Sequence, residues 1–198
     1  MVFVTHNKGK VASAQKQFDK IKFKTYDYEL TEPRSDDIKE IACSKVLEAY
    51  QIVKTPCIAL DSGFYIEELN DFPRAFVNFT LDTIGIDGIL KLMKDVENRN
   101  CMFKECLAYY DGIEIKCFYG ESRGKLSCEV KGNDKKEKWS DLWYIFKPNG
   151  FDKTLAEMTV EERETRRMID KSTNSFTEFA DWYINSINSD KIKKLTKK

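Results

Sequence analysis

The chain opens with the segment that decides its fold, MVFVTHNKGK over residues 1–10. The apolar residues 1–5 predict a buried strand that begins almost at the N-terminus. A polar turn follows over residues 6–10, and from Val11 to about Ile21 apolar residues recur at spacings of three and four, which is typical of a helix. A strand that passes through a short polar turn into a helix is the opening unit of an α/β protein.

Strand and helix signals continue along the rest of the chain. Asp111-Gly112 is a turn signal between two alternating segments and predicts a hairpin. Gly120 and Gly124 are expected to interrupt their strand, as bulges or close backbone approaches do. The predicted strands cover residues 23–30, 57–60, 102–110, 113–119 and 139–146, and the predicted helices cover 37–53, 82–93 and the chain from about 159. This alternation predicts the α/β class.

Length and composition favour one soluble domain. The chain has 198 residues, of which 41% are hydrophobic, and its 33 basic residues balance its 33 acidic ones. That balance argues against an overall electrostatic attraction to nucleic acid or to an acidic membrane. Apolar runs are far shorter than the roughly 20 residues that a membrane helix requires, and no signal peptide opens the chain. We expect a single domain over residues 1–190 and a lysine-rich tail over residues 191–198.

The cysteines indicate a reducing compartment rather than a metal site. Six are present, none in a CxxC pair, and His6 is the only histidine in the chain. A zinc site built from cysteine and histidine is therefore not expected. The simplest interpretation is a cytoplasmic protein with reduced thiols.

Three polar clusters are candidates for chemistry. Residues 5–10 lie at the start of the first helix, where backbone N–H groups suit phosphate oxygens. Asp61-Ser62-Gly63 directly follows a predicted buried strand, which is where open α/β sheets place ligands. Glu40 and Lys45 lie on the predicted long helix and would hold a hard cation and neutralise phosphate. Each cluster also has an interpretation without function. Residues 5–10 would be a surface turn, residues 61–63 a turn that Asp, Ser and Gly favour anyway, and Glu40 with Lys45 part of a solvated helix face.

Several motifs occur together and in a fixed order. Residues 5–10 have the form T-x-N-x-x-K, residues 38–45 carry Glu and Lys five residues apart, and residues 61–64 have the sequence D-S-G-F. Further matching segments follow at residues 68–73, 83–92, 118–124 and 155–159. In this set the chain resembles the inosine triphosphate pyrophosphatase family, which acts on non-standard purine nucleotides and usually has glycine at the position of His6. The resemblance covers residue 1 to about residue 165.

That resemblance implies a fold, a reaction and a cofactor. The family fold is an α/β structure with a long mixed sheet flanked by helices, and a nucleotide cleft lies between its two lobes. The implied reaction is hydrolysis of a nucleoside triphosphate between its α and β phosphates. It depends on Mg²⁺, and Mn²⁺ is a plausible substitute. The family is usually dimeric, so we also expect a homodimer.

The resemblance further assigns roles to individual residues. Asp61 and Lys45 are the implied catalytic residues, and Glu40 and Asp61 are the implied metal ligands. Asp61 would activate the attacking water as a general base. The implied substrate-binding residues hold the nucleotide and are Thr5, His6, Asn7, Lys8, Gly9, Lys10, Ser62, Gly63 and Arg163.

The chain departs from the family pattern where the base is bound. Arg74 stands where glycine is usual, residues 139–143 replace a G-F-G-Y-D stretch, and an S-H-R triplet is absent near residues 167–169. The aligned positions offer mostly apolar or stacking surface and are Ser140, Leu142, Trp143, Met168 and Ile169. We therefore expect a weaker preference for inosine and xanthosine triphosphates than the family shows. A shifted register that brings Asp141 and Arg166 into the cleft would restore the preference.

The same departures support a second hypothesis of another class. The chain would then be a divergent protein on the same fold that binds nucleotide or nucleic acid without hydrolysing it, with Arg74, Arg166, Arg167 and the lysine-rich tail as contacts. A lysine-rich C-terminus is more often a solvated end, so nucleic acid is not the expected partner. Pyrophosphate release in the presence of magnesium would separate the two hypotheses.

Overall fold

A seven-stranded mixed sheet with helices on both faces forms the centre of the molecule. The computed structural model describes residues 1–18, 21–133, 138–169 and 174–195, and for residues 187–195 the backbone alone. The predicted α/β class with a long mixed sheet is confirmed. Within these ranges, no helix combines the length and the apolar character that a membrane span requires.

The N-terminal strand and helix form in the predicted order. Strand β1 (Val2–Val4) leads into helix α1 (Lys8–Gln17), whose N-cap is Asn7. The Asn7 side chain accepts a hydrogen bond from the backbone N–H of Lys10 at 3.1 Å, so the helix begins before its predicted start. Strand β2 (Lys24–Tyr26) runs parallel to β1 and is shorter than predicted.

Helix α2 (Ile38–Val53) agrees with its sequence signals at both ends. The Asp37 side chain accepts a hydrogen bond from the backbone N–H of Lys39 at 2.8 Å, which caps the start of the helix. Lys54 ends the helix in the left-handed conformation, with a φ of 51°. The apolar face of α2 packs against the sheet, and this fixes the side on which its polar residues emerge.

Strand β3 (Cys57–Ile66) is longer than predicted. It pairs antiparallel with strand β5 (Asn100–Tyr110) along all of its residues, whereas the predicted strand ended at Leu60. Asp61 therefore lies in the middle of a strand, and the prediction that it follows a strand end is wrong. The cause is the pairing with β5, which continues past Asp61 and is not visible in the local sequence.

The second edge of β3 has two different partners. β1 lies parallel to it at residues 57–58, and strand β4 (Phe72–Arg74) lies antiparallel to it at residues 64–66. Between these partners, residues 59–63 have a strand neighbour on the β5 edge only, within the described part of the chain. The middle of β3 therefore has one open backbone edge.

The predicted hairpin at Asp111-Gly112 connects β5 to strand β6 (Ile115–Leu126) and is confirmed. Gly120 and Gly124 do not interrupt β6, because its register with β5 continues past both of them. A Cβ at Gly124 would lie 2.2 Å from the carbonyl oxygen of Lys147. The close backbone approach is therefore present at Gly124, and the expected interruption of the strand is wrong.

Two other predicted elements take a different form. The single helix expected over residues 82–93 is divided into α3 (Val77–Thr83) and α4 (Gly85–Leu92), and Gly85 has a φ of 64° at the junction. The aromatic strand expected over residues 139–146 is instead a 3-10 helix over residues 141–144. Strand β7 (Phe146–Pro148) follows it.

The C-terminal part is helical, as predicted. Helix α5 (Val160–Ile169) and helix α6 (Ser175–Leu195) complete the described structure. α6 crosses residue 190, where the lysine-rich tail was expected to begin, and residues 196–198 lie outside the described residues. The division of the chain at residue 190 stays a prediction.

The side chains of β3 divide the core between two lobes. Ile58 and Leu60 pack with α1 and α6 on one face of the sheet, and Ala59 packs with α2 on the other face. These contacts form the first lobe. Phe64 and Ile66 pack with α4 and β7 in the second lobe. The strand order is β2-β1-β3-β5-β6-β7, with β4 beside β3, so the long strands cross both lobes.

Candidate functional site

A cleft lies over the middle of β3, between the two lobes. Asp61, Ser62 and Gly63 line it, at the point where the core contacts of β3 change from the first lobe to the second. The start of α1, residues 139–143 and α5 contribute further lining residues. The two-lobed arrangement with a central cleft is the one that the sequence resemblance implied.

The turn before α1 places two of its predicted residues in the cleft, Asn7 and Lys10. The Asn7 N–H donates to the Thr5 hydroxyl at 3.2 Å, so Thr5 supports the turn without lining the cleft. Gly9 is buried, and a Cβ there would lie 2.7 Å from Cδ1 of Trp139. A glycine is therefore required at this position, because Trp139 packs directly against the backbone.

Lys10 extends into the cleft and reaches the open edge of β3. Its ammonium group donates a hydrogen bond to the Leu60 carbonyl oxygen at 3.1 Å. Burial lowers the pKa of Lys10, and the nearby Asp61 carboxylate partly offsets this effect. A negatively charged ligand beside Lys10 would therefore stabilise the ammonium form.

Lys45 forms ion pairs with two carboxylates, those of Glu32 and Asp61. Its ammonium group donates to Glu32 at 2.6 Å and to Asp61 at 3.0 Å. Burial acts to lower the pKa of Lys45, but the Asp61 and Glu32 carboxylates more than offset it, so the pKa is raised. Asp61 is only 5% exposed, and this ion pair fixes its carboxylate at the cleft. The predicted proximity of Asp61 and Lys45 is therefore present.

Glu40, the other predicted metal ligand, has a different environment. It is exposed on α2, accepts a hydrogen bond from the Ser35 hydroxyl at 2.7 Å and does not line the cleft. Glu32 is the second carboxylate beside Asp61, and the sequence analysis missed it because no motif marks it. A Glu40–Asp61 metal site stays a prediction.

The carboxylate oxygens of the cleft suit a hard cation that is held mainly by the phosphates of the substrate. Among the described residues, no group of three or more histidine, cysteine or carboxylate side chains is arranged to hold a metal. Mg²⁺ commonly binds through one or two carboxylates, with substrate phosphates and water completing its shell. Asp61 with one further carboxylate oxygen donor fits that requirement.

The remaining predicted residues divide between the cleft and the surface. Ser62 and Gly63 line the cleft, whereas Lys8 and His6 are exposed outside its lining. The His6 ring nitrogen Nδ1 lies 2.7 Å from Asp27 on the surface. The structure therefore does not bring these two basic side chains to the other residues of the predicted substrate-binding set.

Arg74, which stands where glycine is usual in the family, adopts a backbone conformation that favours glycine. Its φ is 57°, in the left-handed region. A Cβ at Gly63 would lie 2.7 Å from the Arg74 carbonyl oxygen, so β4 approaches the floor of the cleft closely there. The Arg74 side chain forms an ion pair with Asp36. Arginine therefore occupies a left-handed position that glycine adopts without strain.

Aromatic and guanidinium groups form another part of the cleft lining. The Arg163 guanidinium lies 5.5 Å from the centre of the Trp143 ring and donates to the Met158 carbonyl oxygen at 2.7 Å. Trp139 donates through its indole N–H to the Ser13 hydroxyl at 3.1 Å. The predicted residue Arg163 therefore lines the cleft beside a ring that can stack on a base.

The residues aligned with the family's base-binding segments are only partly in the cleft. Ser140 and Trp143 line it, but Leu142 is fully buried in the core, and Met168 and Ile169 are exposed outside it. The expectation that these three supply an apolar base surface is therefore wrong. The 3-10 helix turns Leu142 inward, and the last turn of α5 points the other two away from the cleft.

Arg166 enters the cleft in their place. Its guanidinium donates a hydrogen bond to the Ser122 hydroxyl on β6, and both residues line the cleft. Asp141 does not accompany it, because its carboxylate pairs with Lys138 at 2.8 Å, outside the cleft lining. Of the two residues that a shifted register would bring into the cleft, Arg166 is therefore there and Asp141 is not.

Glu105 is a further carboxylate that sequence analysis missed. It lies on β5 directly opposite Ser62, and its Oε1 accepts hydrogen bonds from the Ser175 N–H at 3.1 Å and hydroxyl at 2.8 Å. Burial raises the pKa of Glu105, and these two hydrogen bonds partly offset the rise. Its position beside Lys104, in a strand whose other residues are mostly apolar, left no pattern that marks it as a cleft residue.

Comparison with known proteins identifies the family. The sequence profile of the Ham1 family matches residues 1–182. The dITP/XTP pyrophosphatase of Thermococcus kodakarensis is 36% identical over 184 residues, which are 92% of this chain and 96% of that protein. The dITP/XTP pyrophosphatase of Methanopyrus kandleri is 35% identical over 190 residues, which are 94% of this chain and 97% of that protein.

Two solved structures share the fold. The Ham1 protein of Coxiella burnetii superposes with a TM-score of 0.77 at 19% identity and covers 93% of this chain and 99% of its own. The Ham1 protein of Staphylococcus aureus gives a TM-score of 0.73 at 20% identity and covers 94% of this chain and 100% of its own. The resemblance inferred from the ordered motifs is thus confirmed, and the chain belongs to the Ham1 family.

Proposed function

We propose that this chain hydrolyses non-standard purine nucleoside triphosphates to the nucleoside monophosphate and pyrophosphate. The observation that carries the proposal is the cluster of Lys10, Lys45 and Asp61 at the cleft, in which Lys45 and Asp61 are buried. The relatives named dITP/XTP pyrophosphatase, at 35–36% identity over nearly the whole chain, support the same reaction. The test is pyrophosphate release from dITP and XTP by the purified protein.

The cluster suits hydrolysis of the bond that links the α and β phosphates. The reaction requires a base for the water proton and positive groups for the charge that develops on the leaving pyrophosphate. Asp61 supplies the base, since Lys45 holds its carboxylate at the cleft. Lys10 and Lys45 supply the positive charge close to where the phosphates would lie.

We propose Mg²⁺ as the cofactor, with Mn²⁺ as a substitute. Asp61 and the predicted ligand Glu40 would hold it, and its contribution when bound is to neutralise and orient the phosphate oxygens. Because Glu40 is exposed and bonded to Ser35, its side chain would have to leave that hydroxyl on binding. Loss of activity in a chelator, with recovery on addition of Mg²⁺, tests the requirement.

We propose a preference for 6-oxo purines that is weaker than a full hydrogen-bonding site would give. Trp143 offers a stacking surface, and Arg166 is a donor-only group that suits the O6 acceptor. One charged hydrogen bond contributes about 1.5–3 kcal/mol, or roughly 10- to 100-fold. The ratio of kcat/KM for dITP over dATP measures the preference. A ratio of several hundred would contradict the proposal, and Arg166→Ala is expected to bring the ratio close to one.

The alternative of a nucleotide- or nucleic-acid-binding protein without hydrolysis is not favoured. The relatives that cover most of the chain carry the name of an enzyme, and the ion pair of Asp61 with Lys45 beside the cleft supports hydrolysis. A panel of triphosphates in magnesium would still separate the two. Binding of dITP with no release of pyrophosphate would support the alternative.

We also propose that the chain forms a homodimer. Four large apolar side chains are exposed along α3, α4 and the residues next to them, namely Phe76, Phe79, Ile84 and Leu92. Such a group of exposed apolar residues is typical of an interaction surface. Light scattering should give the mass of two chains, and Phe79→Glu should give one. The cytoplasmic location stays a prediction.

A further inference from the structure

Three cysteine thiols lie together where α2 packs on the sheet, away from the cleft. Cys43 is on α2, Cys106 is on β5, and Cys117 is on β6. The sulfur atoms of Cys43 and Cys117 are 3.5 Å apart. Cys117 pairs with Ala108 across the two strands, so Cys106 lies diagonally next to it on the same face. None of the three lines the cleft in the described part of the chain.

The exposure of the three thiols separates their roles. Cys43 and Cys117 are half-buried and can meet a small oxidant, whereas Cys106 is fully buried. All six cysteines of the chain are free thiols, so this contact is between two unoxidised sulfur atoms. The two sulfurs are already in van der Waals contact, about 1.5 Å farther apart than in a disulfide bond.

The surroundings also favour the reactive form of one thiol. Hydrogen bonds from the thiols of Cys106 and Cys43 lower the pKa of Cys117, against the effect of burial, and the charge of Lys39 acts in the same direction. The thiolate, not the thiol, attacks an oxidant. Burial raises the pKa of Cys43 to about 11, so Cys43 stays a thiol until its partner has reacted.

We propose that Cys43 and Cys117 form a redox modification site, at which a peroxide converts the pair to a disulfide and a dithiol reductant restores it. The reaction takes two steps that balance. The Cys117 thiolate attacks one peroxide oxygen, the O–O bond breaks, and a sulfenic acid and hydroxide result; the hydroxide takes one proton from solvent to become water. The Cys43 sulfur then attacks the Cys117 sulfur, the S–S bond forms, the S–O bond breaks, and the hydroxyl leaves as a second water. The two thiols lose two electrons to the peroxide.

The new bond would join α2 to β6 across β5. α2 carries Lys45, which holds Asp61 at the cleft, so the modification fixes the helix that supports the cleft cluster. The cross-link itself depends only on the sulfur geometry and does not depend on the proposed hydrolysis. Its chemistry can therefore be tested without an activity measurement.

The experiment treats the purified full chain with hydrogen peroxide, blocks remaining thiols with an alkylating reagent and maps the peptides by mass spectrometry. We expect one cross-linked pair, Cys43 with Cys117, with a mass lower by two hydrogen atoms, and its loss after treatment with dithiothreitol. Cys128 is the internal reference, because it is exposed and has no sulfur contact among the described residues.

Two variants complete the test. Cys43→Ala should abolish the cross-link and leave Cys117 as a sulfinic acid, because Cys106, the remaining neighbouring thiol, is fully buried and its pKa is raised. Cys128→Ser is the matched control and should retain the cross-link. Complete alkylation of Cys43 and Cys117 under conditions that oxidise Cys128 would overturn the proposal. A cross-link between Cys106 and Cys117 in the parent protein would overturn it as well.

Discussion

Replacement of Asp61 by asparagine separates the charge of this side chain from its shape. The amide oxygen can still accept the hydrogen bond from Lys45, so the packing at the floor of the cleft is retained. What is lost is one negative charge beside two buried ammonium groups, those of Lys45 and Lys10. The fold should therefore survive while the base for the attacking water is removed.

The cost in stability follows from the partners that remain. Removal of one partner from a buried ion pair costs about 3–5 kcal/mol when the other charge is left alone. Here Lys45 keeps Glu32 at 2.6 Å, although the Glu32 side chain is 51% exposed and solvent screens its charge. We expect a loss of about 1–2 kcal/mol, which for a chain of this size lowers Tm by roughly 2–8 °C.

The cost in activity is larger. General-base assistance contributes roughly 10²–10⁴-fold, so Asp61→Asn should lower kcat for dITP hydrolysis by about that factor. The assay is pyrophosphate release at saturating Mg²⁺, with thermal unfolding followed by circular dichroism in the same buffer. Asp82→Asn, the same change at an exposed position of α3, is the matched control and should alter neither quantity.

Two results would refute this reasoning. If Asp61→Asn hydrolyses dITP within tenfold of the parent while the fold is intact, Asp61 is not the base. If Tm falls by far more than the expected range, the carboxylate has a mainly structural role, because Glu32 does not compensate Lys45. A large fall in kcat with a small fall in Tm is the predicted combination.

Three further predictions concern neighbouring positions. Gly9→Ala places a Cβ 2.7 Å from Trp139 and should destabilise the fold by about 1–3 kcal/mol in urea denaturation; an unchanged midpoint would contradict the close packing. Burial raises the pKa of Glu105 above its ordinary value of 4.5, so its contribution to stability is complete at acidic pH and is lost as the pH rises through the raised pKa. Glu105→Gln should therefore lose less stability than the parent between acidic and neutral pH, and parallel curves for the two proteins would argue against it. Glu40→Gln should raise the Mg²⁺ concentration for half-maximal activity by at least about tenfold. The control Glu97→Gln, at an exposed position, should leave that concentration unchanged. If the Mg²⁺ curves of the parent and Glu40→Gln are equal, Glu40 is not a ligand.

Local signals in the sequence were sufficient where the structure depends on local contacts. Asp37 caps α2 through a hydrogen bond to the N–H two residues further on, and the turn at Asp111-Gly112 reverses the chain. Both features need only neighbouring residues, so both were predictable. The order of strands and helices followed from them, and with it the fold class.

Contacts between segments that are distant in the sequence determined the secondary structure that local patterns did not predict. Asp61-Ser62-Gly63 is typical of a turn, yet these residues are strand because β5 pairs with them from more than forty positions away. The aromatic residues near Trp143 have strand propensity, yet Leu142 enters the core and the segment becomes a 3-10 helix. Tertiary packing outweighs propensity in both cases.

The candidate site was predictable to the same extent. Its motif residues Asp61 and Lys45 do lie together, since each lies in a segment that matches the family. Glu32 and Glu105 reach the cleft through a loop contact and through strand register, neither of which leaves a pattern in a single sequence. The sequence offered Arg166 as a cleft residue only if the register shifts, and it is the position of α5 that brings it there.

The open edge in the middle of β3 has a consequence for amide hydrogen exchange. The ends of β3 are paired on both edges, so their N–H groups should exchange only through opening of the sheet. Within the described part of the chain, N–H groups of residues 59–63 that face away from β5 have no strand acceptor, so we expect them to exchange faster than those at the ends. A nucleotide that fills the cleft would cover this edge. Slower exchange of residues 59–63 would then indicate that the cleft is occupied, even without turnover. The two ends of β3 would serve as references within the same peptide.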